Sequence, residues 1–243
     1  MEMIDIHCHI LHGVDDGARS LETSIRMAKK AKSLGYTDIF ATPHYIEFDL
    51  ENEKLEVKQK VKELNEILED RGIAIKVHIG NEVYISSNIP NRLENNEICT
   101  LGDSKYVLIE LPMQGRVQNL VEIVNELISK EYIPILAHPE RYEFVYKDYT
   151  LLYELIDLGV LMQLNIGSIV GIYGRKAKKM SVKLLKNNMV HLMATDAHDS
   201  TSIYDMYDKA MRKITKIIPE SKYYEIMYMN PAEIKDSFDS FKF

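Results

Sequence analysis

Cysteine is nearly absent from this chain: Cys8 and Cys99 are the only two in 243 residues, and neither sits in a Cys-x-x-Cys pair. Two such residues exclude a disulfide framework and point to a reducing compartment. No apolar run approaches the roughly 18 residues of a membrane span. The opening Met1-Glu2-Met3-Ile4-Asp5 lacks the basic and apolar regions of a secretory leader. The expectation is a cytoplasmic protein without membrane insertion. Positive charge is also short, with 30 Lys and Arg against 37 Asp and Glu and a net charge of -7. A phosphate-backbone binder normally carries a basic face, so this balance argues against a nucleic-acid partner. An acidic chain that handles an anionic substrate must supply positive charge locally, through metal ions and a few arginines. Linkers rich in Pro, Gly or Ser, internal repeats and low-complexity segments are missing as well. With 46% apolar and 28% charged residues the chain has ordinary globular composition. Residues 1–243 are therefore expected to form one domain, a length that a β/α barrel reaches without splitting.

Several catalytic devices are excluded by the same inspection. A cysteine phosphatase needs a thiolate in a phosphate-cradling loop closed by arginine after five intervening residues; here Cys8 meets Val14 and Cys99 meets Lys105. There is no Gly-x-x-x-x-Gly-Lys-Ser/Thr run and no Gly-x-Ser-x-Gly elbow. Hydrolysis and phosphate handling, if present, should rest on metal.

What the chain does have is an alternation of short β-branched runs and longer segments of helical period, the pattern of repeated βα units around a parallel sheet. Seven strands are predicted: Met3–His7, Ile39–Thr42, Ile75–Ile79, Tyr106–Leu111, Ile133–Ala137, Leu161–Ile166 and His191–Thr195. Val57, Val61, Leu64 and Leu68 mark one helix, and Leu120, Val124 and Leu127 another. Ser20 and Gly35 bound the first helix from both ends. The connection after the third strand looks longer and irregular, and a final short helix is expected over Ala232–Phe238, after Asn230-Pro231. The residues His9 to Ser20 form a long first βα loop, a place where function is commonly found.

Chemistry-bearing residues fall at the ends of these strands. His7 and His9 end the first, His44 lies beyond the second, Glu82 follows the third, and Glu110 ends the fourth. His138 follows the fifth, and Asp196 with His198 follows the seventh. In a parallel barrel all these ends share the face that carries active sites. Period two in an extended segment points the imidazoles of His7-Cys8-His9 to one side and the Cys8 thiol to the other. Asp5 reads as an acceptor that fixes a histidine tautomer or as a plain strand-edge residue. Singly, each residue has an ordinary structural explanation; six strand ends bearing them do not. Imidazole and carboxylate without thiolate suit Mn²⁺, Fe²⁺, Zn²⁺ or Mg²⁺. The donors outnumber one tetrahedral site, so two or three metals are expected. His12, His78 and His191 are read as structural.

These blocks, Ile4-Asp5-Ile6-His7-Cys8-His9 with Val14-Asp15-Asp16-Gly17, Ala41-Thr42-Pro43-His44, Gly80-Asn81-Glu82, Leu108-Ile109-Glu110, Ala137-His138-Pro139-Glu140-Arg141-Tyr142 and Thr195-Asp196-Ala197-His198, resemble the polymerase and histidinol phosphatase (PHP) superfamily. More closely, the whole chain is similar to the manganese-dependent bacterial protein-tyrosine phosphatases of capsule and exopolysaccharide loci. The resemblance implies a distorted seven-unit TIM-like (β/α) barrel. It also implies a trinuclear centre, with manganese favoured, on His7, His9, Asp16, His44, Glu82, Glu110, His138, Asp196 and His198. Spacing alone reads Asp15-Asp16-Gly17 equally well as a turn. The resemblance further implies that Arg141 holds the substrate phosphate and that the substrate is a phosphotyrosine protein, typically a bacterial tyrosine kinase controlling polysaccharide export. Tyrosinate leaves readily, so little general-acid help is needed; His44, His198 or a metal could give it. A small-molecule phosphomonoesterase of the histidinol-phosphatase kind and a catalytically weakened kinase-binding module are the alternatives. One departure stands out. Relatives generally carry a second phosphate-directed arginine five residues after the last histidine, where this chain has Ile203. Arg175, after Gly171-Ile172-Tyr173-Gly174, is either its substitute or a solvated arginine opening a basic helix with Lys176, Lys178 and Lys179.

Overall fold

The computed structural model describes residues 2–239. In chain order its elements are β1 (Met3–Cys8), α1 (Leu21–Ser33), β2 (Tyr36–Ala41), β3 (His44–Ile46), β4 (Leu50–Glu51), α2 (Lys54–Asp70), β5 (Lys76–Ile79), β6 (Glu82–Tyr84), α3 (Ile89–Glu94) and β7 (Tyr106–Glu110). There follow α4 (Leu120–Ser129), β8 (Ile133–Ala137), α5 (Glu143–Lys147), α6 (Thr150–Asp157), β9 (Leu161–Asn165), α7 (Ile166–Val170), α8 (Gly174–Lys186), β10 (Leu192–Ala194), α9 (Ser202–Ile214), α10 (Glu220–Tyr224) and α11 (Asn230–Asp239). The helices follow from local chemistry. The Ser20 hydroxyl accepts from the Thr23 amide, Gly35 takes the left-handed conformation after α1, and the stripes read on α2 and α4 are buried.

The strands form two sheets, β1-β2-β5 and β10-β9-β8-β7-β6-β3-β4, parallel except for the β3-β4 hairpin. The seven expected runs correspond to β1, β2, β5, β7, β8, β9 and β10. The sequence reading lacks β3, β4 and β6, because two strands are interrupted rather than ended. Past Thr42-Pro43 the path of β2 resumes as β3, and past Gly80-Asn81 that of β5 resumes as β6. Proline has no amide to give the ladder. A side chain at Gly80 would come within 3.1 Å of the Ala41 carbonyl and 2.9 Å of Leu101, so both breaks require small or amide-free residues. Buried Asn81 bridges them, donating to the carbonyls of Pro43 and Asn52 and accepting from the Cys99 amide at 2.8 Å. The two sheets approach again where the His9 amide donates to Ala197 O at 3.0 Å and the Asp196 amide to His7 O at 2.9 Å.

Two apolar layers separate on this frame. Ile4, Ile6, Phe40, Leu108, Ile135 and Leu192 pack together, with Leu101 and Ile234 of α11 beside them. The larger cluster, including Ile39, Val107, Leu136 and Met193, lies against the helices. Strict alternation along β1 would put His7 opposite Ile4 and Ile6. An irregularity in the β1-β2 register between Asp5 and Cys8 resets the phase. His7 and His9 thus turn toward the site, while Asp5 faces the helical side.

Candidate metal centre

Beyond the apolar layer, the strand ends carry the polar residues into one buried cluster. Alternation along β7 puts Glu110 in phase with Tyr106 and Leu108, and the same holds for Asp196 after Leu192 and Ala194 on β10. Glu82, expected after a strand, begins β6 opposite His44 in register. His138 and Asp196 have φ of 33° and 50°. Left-handed backbone at such residues is uncommon and is found preferentially at functional sites.

Glu82 is the hub. Its Oε2 lies 3.2 Å from His7 Nε2, 3.2 Å from His9 Nε2 and 3.1 Å from His44 Nδ1, while Oε1 lies 2.8 Å from His138 Nε2. Asp196 Oδ1 faces His7 and His9 at 3.4 Å and His198 Nδ1 at 3.5 Å. Glu110 is 3.6 Å from both His44 and His138. Asp16, 69% exposed, meets His198 at 3.3 Å and His44 at 3.5 Å on the open side. All nine residues that the resemblance implied are brought together.

Electrostatics show what the cluster is built to hold. Burial alone would lower the His7 pKa, yet Glu82 and Asp196 push it up to about 9, and His9 is raised well above its usual value with Asp15 the largest opposing influence to burial. Burial and the Glu82 charge raise Glu110 to about 8. The carboxylates thus favour positive charge at His7 and His9, while burial holds His44 and His138 below their usual value. Glu82 Oε2, Asp196 Oδ1 and His44 Nδ1 are buried without a hydrogen-bond partner, an arrangement that proteins tolerate poorly unless an ion satisfies it. Four overlapping donor sets could each hold one: His7, His9 and Glu82; His44, Glu82 and Glu110; His7, His138 and Asp196; and His9, Asp16, His44 and His198. The donors fit divalent metal.

The whole of residues 3–236 matches the family described as capsular polysaccharide synthesis, CpsB/CapC. The chain belongs to the CpsB/CapC family. It is 38% identical over 200 residues to the putative tyrosine-protein phosphatase CapC of Staphylococcus aureus, covering 82% of this chain and 78% of that one. Identity to the tyrosine-protein phosphatase YwqE of Bacillus subtilis (strain 168) is 38% over 197 residues, 81% of this chain and 78% of YwqE. A solved structure described among those of YwqE from Bacillus subtilis and CpsB from Streptococcus pneumoniae, unique metal-dependent tyrosine phosphatases, superposes with a TM-score of 0.85 at 33% identity, covering 98% of this chain and 93% of that one.

Around this CpsB/CapC cluster stand residues that strand-end reasoning missed. Asp15, not a turn residue only, accepts from His9 Nδ1 at 2.7 Å, and Gln163 takes His7 Nδ1 at 2.9 Å. Each fixes the ring so that Nε2 points inward. Asp5 does not hold an imidazole; it accepts from the Thr195 hydroxyl and amide, because the irregularity in β1 turns it away. Asn165 and the Tyr173 hydroxyl both donate to Asp196 Oδ2, which Arg141 also reaches at 3.0 Å. The Arg141 guanidinium lies 4.5 Å from the Tyr173 ring. Gln163 and Asn165 were legible as polar residues in an otherwise apolar strand; Tyr173 left no such signal.

Other residues fall outside. The Cys8 thiol is buried 3.9 Å from the Tyr204 hydroxyl, with burial raising its pKa well above normal. His78 pairs with Asp38 at 2.7 Å, His191 Nδ1 accepts from the Met162 amide, and His12 is part-exposed in the first loop. Ile203 is 2% exposed in the core under α9. Arg175 is exposed in the first turn of α8, whereas Tyr173, two residues earlier, is what reaches the cluster.

Proposed function

We propose that this chain is a metal-dependent protein-tyrosine phosphatase whose substrate is a phosphotyrosine-bearing protein, a bacterial tyrosine kinase in capsular or exopolysaccharide synthesis. The supporting observation is the pairing of a buried multi-donor cluster with one cation, Arg141, held at its edge. The cytoplasm is the matching location; among the described residues no helix is long and apolar enough to cross a membrane. On this reading residues 1–243 act as one unit, and the two sheets together make the distorted seven-unit barrel.

His7, His9, Asp16, His44, Glu82, Glu110, His138, Asp196 and His198 would hold two or three divalent ions, manganese being favoured by likeness to relatives. When bound, such ions supply Lewis acidity toward phosphoryl oxygen and make water a competent nucleophile near neutral pH. Asp196 and Tyr173 hold the Arg141 guanidinium in place, so it can donate to a phosphoryl oxygen without reorganising. His44 and His198 occupy the open side with 17% and 30% of their side chains exposed, where an imidazole N–H can meet the departing phenolate oxygen. Neither thiol is placed or ionised for attack, so a direct displacement without a phosphoenzyme follows.

The decisive experiment assays metal-replete protein side by side on a phosphotyrosyl peptide and on histidinol phosphate. Preference for the peptide is expected; preference for histidinol phosphate would transfer the assignment to the small-molecule class.

A further inference from the structure

Although the chain is acidic, helix α8 and its neighbour α9 carry a concentration of the opposite sign. Helix α8 contains Arg175, Lys176, Lys178, Lys179, Lys183 and Lys186 and no carboxylate. Lys209, Arg212 and Lys213 on α9 and Lys216 after it follow the i, i+3, i+4, i+7 spacing of a single helical face. Both helices pack against α7, which sets the two basic rows on neighbouring elements. Among the described residues the ion pairs lie elsewhere. Lys30 takes Asp205, one of the two α9 carboxylates, at 2.9 Å, while Lys130 pairs with Glu94 and Lys235 with Glu2. Uncompensated like charge is unfavourable for the isolated fold, and 37 carboxylates were available to offset it.

We propose that this α8-α9 face docks an acidic polypeptide segment continuous with the phosphotyrosine of the substrate. The proposal rests on the phosphatase reading above and adds a substrate class to it. Position supports it: Arg175 lies two residues past Tyr173, whose hydroxyl is 3.2 Å from Asp196, so the basic face begins beside the site and runs down a helix about 20 Å long. Six extended residues of a bound segment would cover that distance. An anionic membrane is the other occupant that charge would allow, but a membrane-lying helix inserts apolar side chains, and here Ala177, Met180, Leu184 and Leu185 are turned into the core. Tyrosine rings lie along the face as well, Tyr149 4.0 Å from Lys183 and Tyr146 5.6 Å from Lys176, giving the side-chain stems a fixed bed.

The test compares the parent with a Lys178→Glu, Lys179→Glu, Lys183→Glu, Lys213→Glu variant and with its four-arginine counterpart, all on metal-replete full chain. Substrates are p-nitrophenyl phosphate and two phosphotyrosyl peptides of equal length, one flanked by glutamates and one by serines. The parent should favour the glutamate peptide in kcat/KM by about tenfold at low salt, the combined effect of several screened pairs. The reversal variant should lose that preference, the arginine variant keep it, and all three should hydrolyse p-nitrophenyl phosphate equally. An unphosphorylated glutamate peptide, followed by fluorescence anisotropy, should bind the parent and not the reversal variant. Equal preference in parent and reversal variant overturns the proposal. So does phosphatidylglycerol-vesicle binding that the reversal abolishes while peptide preference is unaffected. Loss of hydrolysis on every substrate, with anisotropy unchanged, would instead fault the phosphatase reading.

Discussion

Replacing Glu82 with Gln removes one charge and almost no volume, so its consequences can be worked from the surroundings. Four imidazole nitrogens lie within 3.2 Å of the Glu82 carboxylate, against two carboxylate neighbours of opposing effect, Glu110 and Asp196. Attraction therefore outweighs repulsion. Burial is nearly complete at 1% exposure, so His7 and His9, the two imidazoles whose pKa the carboxylates raise, cannot recover their partner from water. Removing one member of a buried charged group costs about 3–5 kcal/mol. For a chain of this size each kcal/mol is worth roughly 2–4 °C of Tm, which puts the chelated variant about 6–20 °C below the chelated parent. The amide also replaces the oxygen shared by two of the donor sets, so metal-replete variant should hold at least one ion fewer per chain. Differential scanning fluorimetry with and without chelator, together with plasma emission analysis of dialysed protein, reads both quantities. A variant with parental Tm, metal content and activity would refute the view of Glu82 as the shared carboxylate.

Gly17→Ala should disable the site from a distance, since a Cβ there would run into the His9 carbonyl and Cβ. Turnover on p-nitrophenyl phosphate should fall more than tenfold, while circular dichroism stays parental. Ile203→Arg, which would install the arginine that the resemblance implies at this position, should instead destabilise by about 3–5 kcal/mol in urea melts, because the charge would enter the core beneath α9. Asp38→Asn probes stability away from the metals. Burial alone would raise the Asp38 pKa, but hydrogen bonds from His78, Thr37 and Lys235 hold it down to about 2. A depressed carboxylate contributes stability above its unfolded value and loses it as pH falls toward the folded one. The parent should thus exceed Asp38→Asn by about 1–2 kcal/mol at pH 7, and the gap should narrow by pH 3.

The parts of the fold legible in the sequence were those set by periodicity. The seven apolar runs and the stripes on α2 and α4 each have one low-energy solution, a strand buried on both faces or a helix covering it. What was hidden depends on departures from period. Thr42-Pro43 and Gly80-Asn81 read as strand ends, yet the paths resume as β3 and β6, because side-chain amides and close backbone approach carry the chain across each break. The same holds within β1. Alternation correctly put the Cys8 thiol opposite its histidine neighbours, but it left the role of Asp5 open, since the register slips between Asp5 and Cys8.

The site divides in the same way, and the division has a chemical cause. Imidazoles and carboxylates at strand ends are visible because residues of that kind are costly to bury and rare in parallel strands. The residues that orient them are not conspicuous: Asp15 looks like part of a turn, and Tyr173 like any tyrosine in a glycine-rich loop. Tyr173 and Arg175 sit two residues apart in one loop and helix start, yet face different surroundings. The backbone turns at Gly171 and Gly174, both with positive φ, direct the ring between them onto Arg141 and Asp196 and leave the following arginine outside on α8. Arg175 is exposed in the first turn of α8, outside the cluster that Tyr173 reaches. Arg141 is held from one side by a carboxylate and from the other by an aromatic face, while the cations of α8 lie farther out, where they can meet a protein rather than a phosphate.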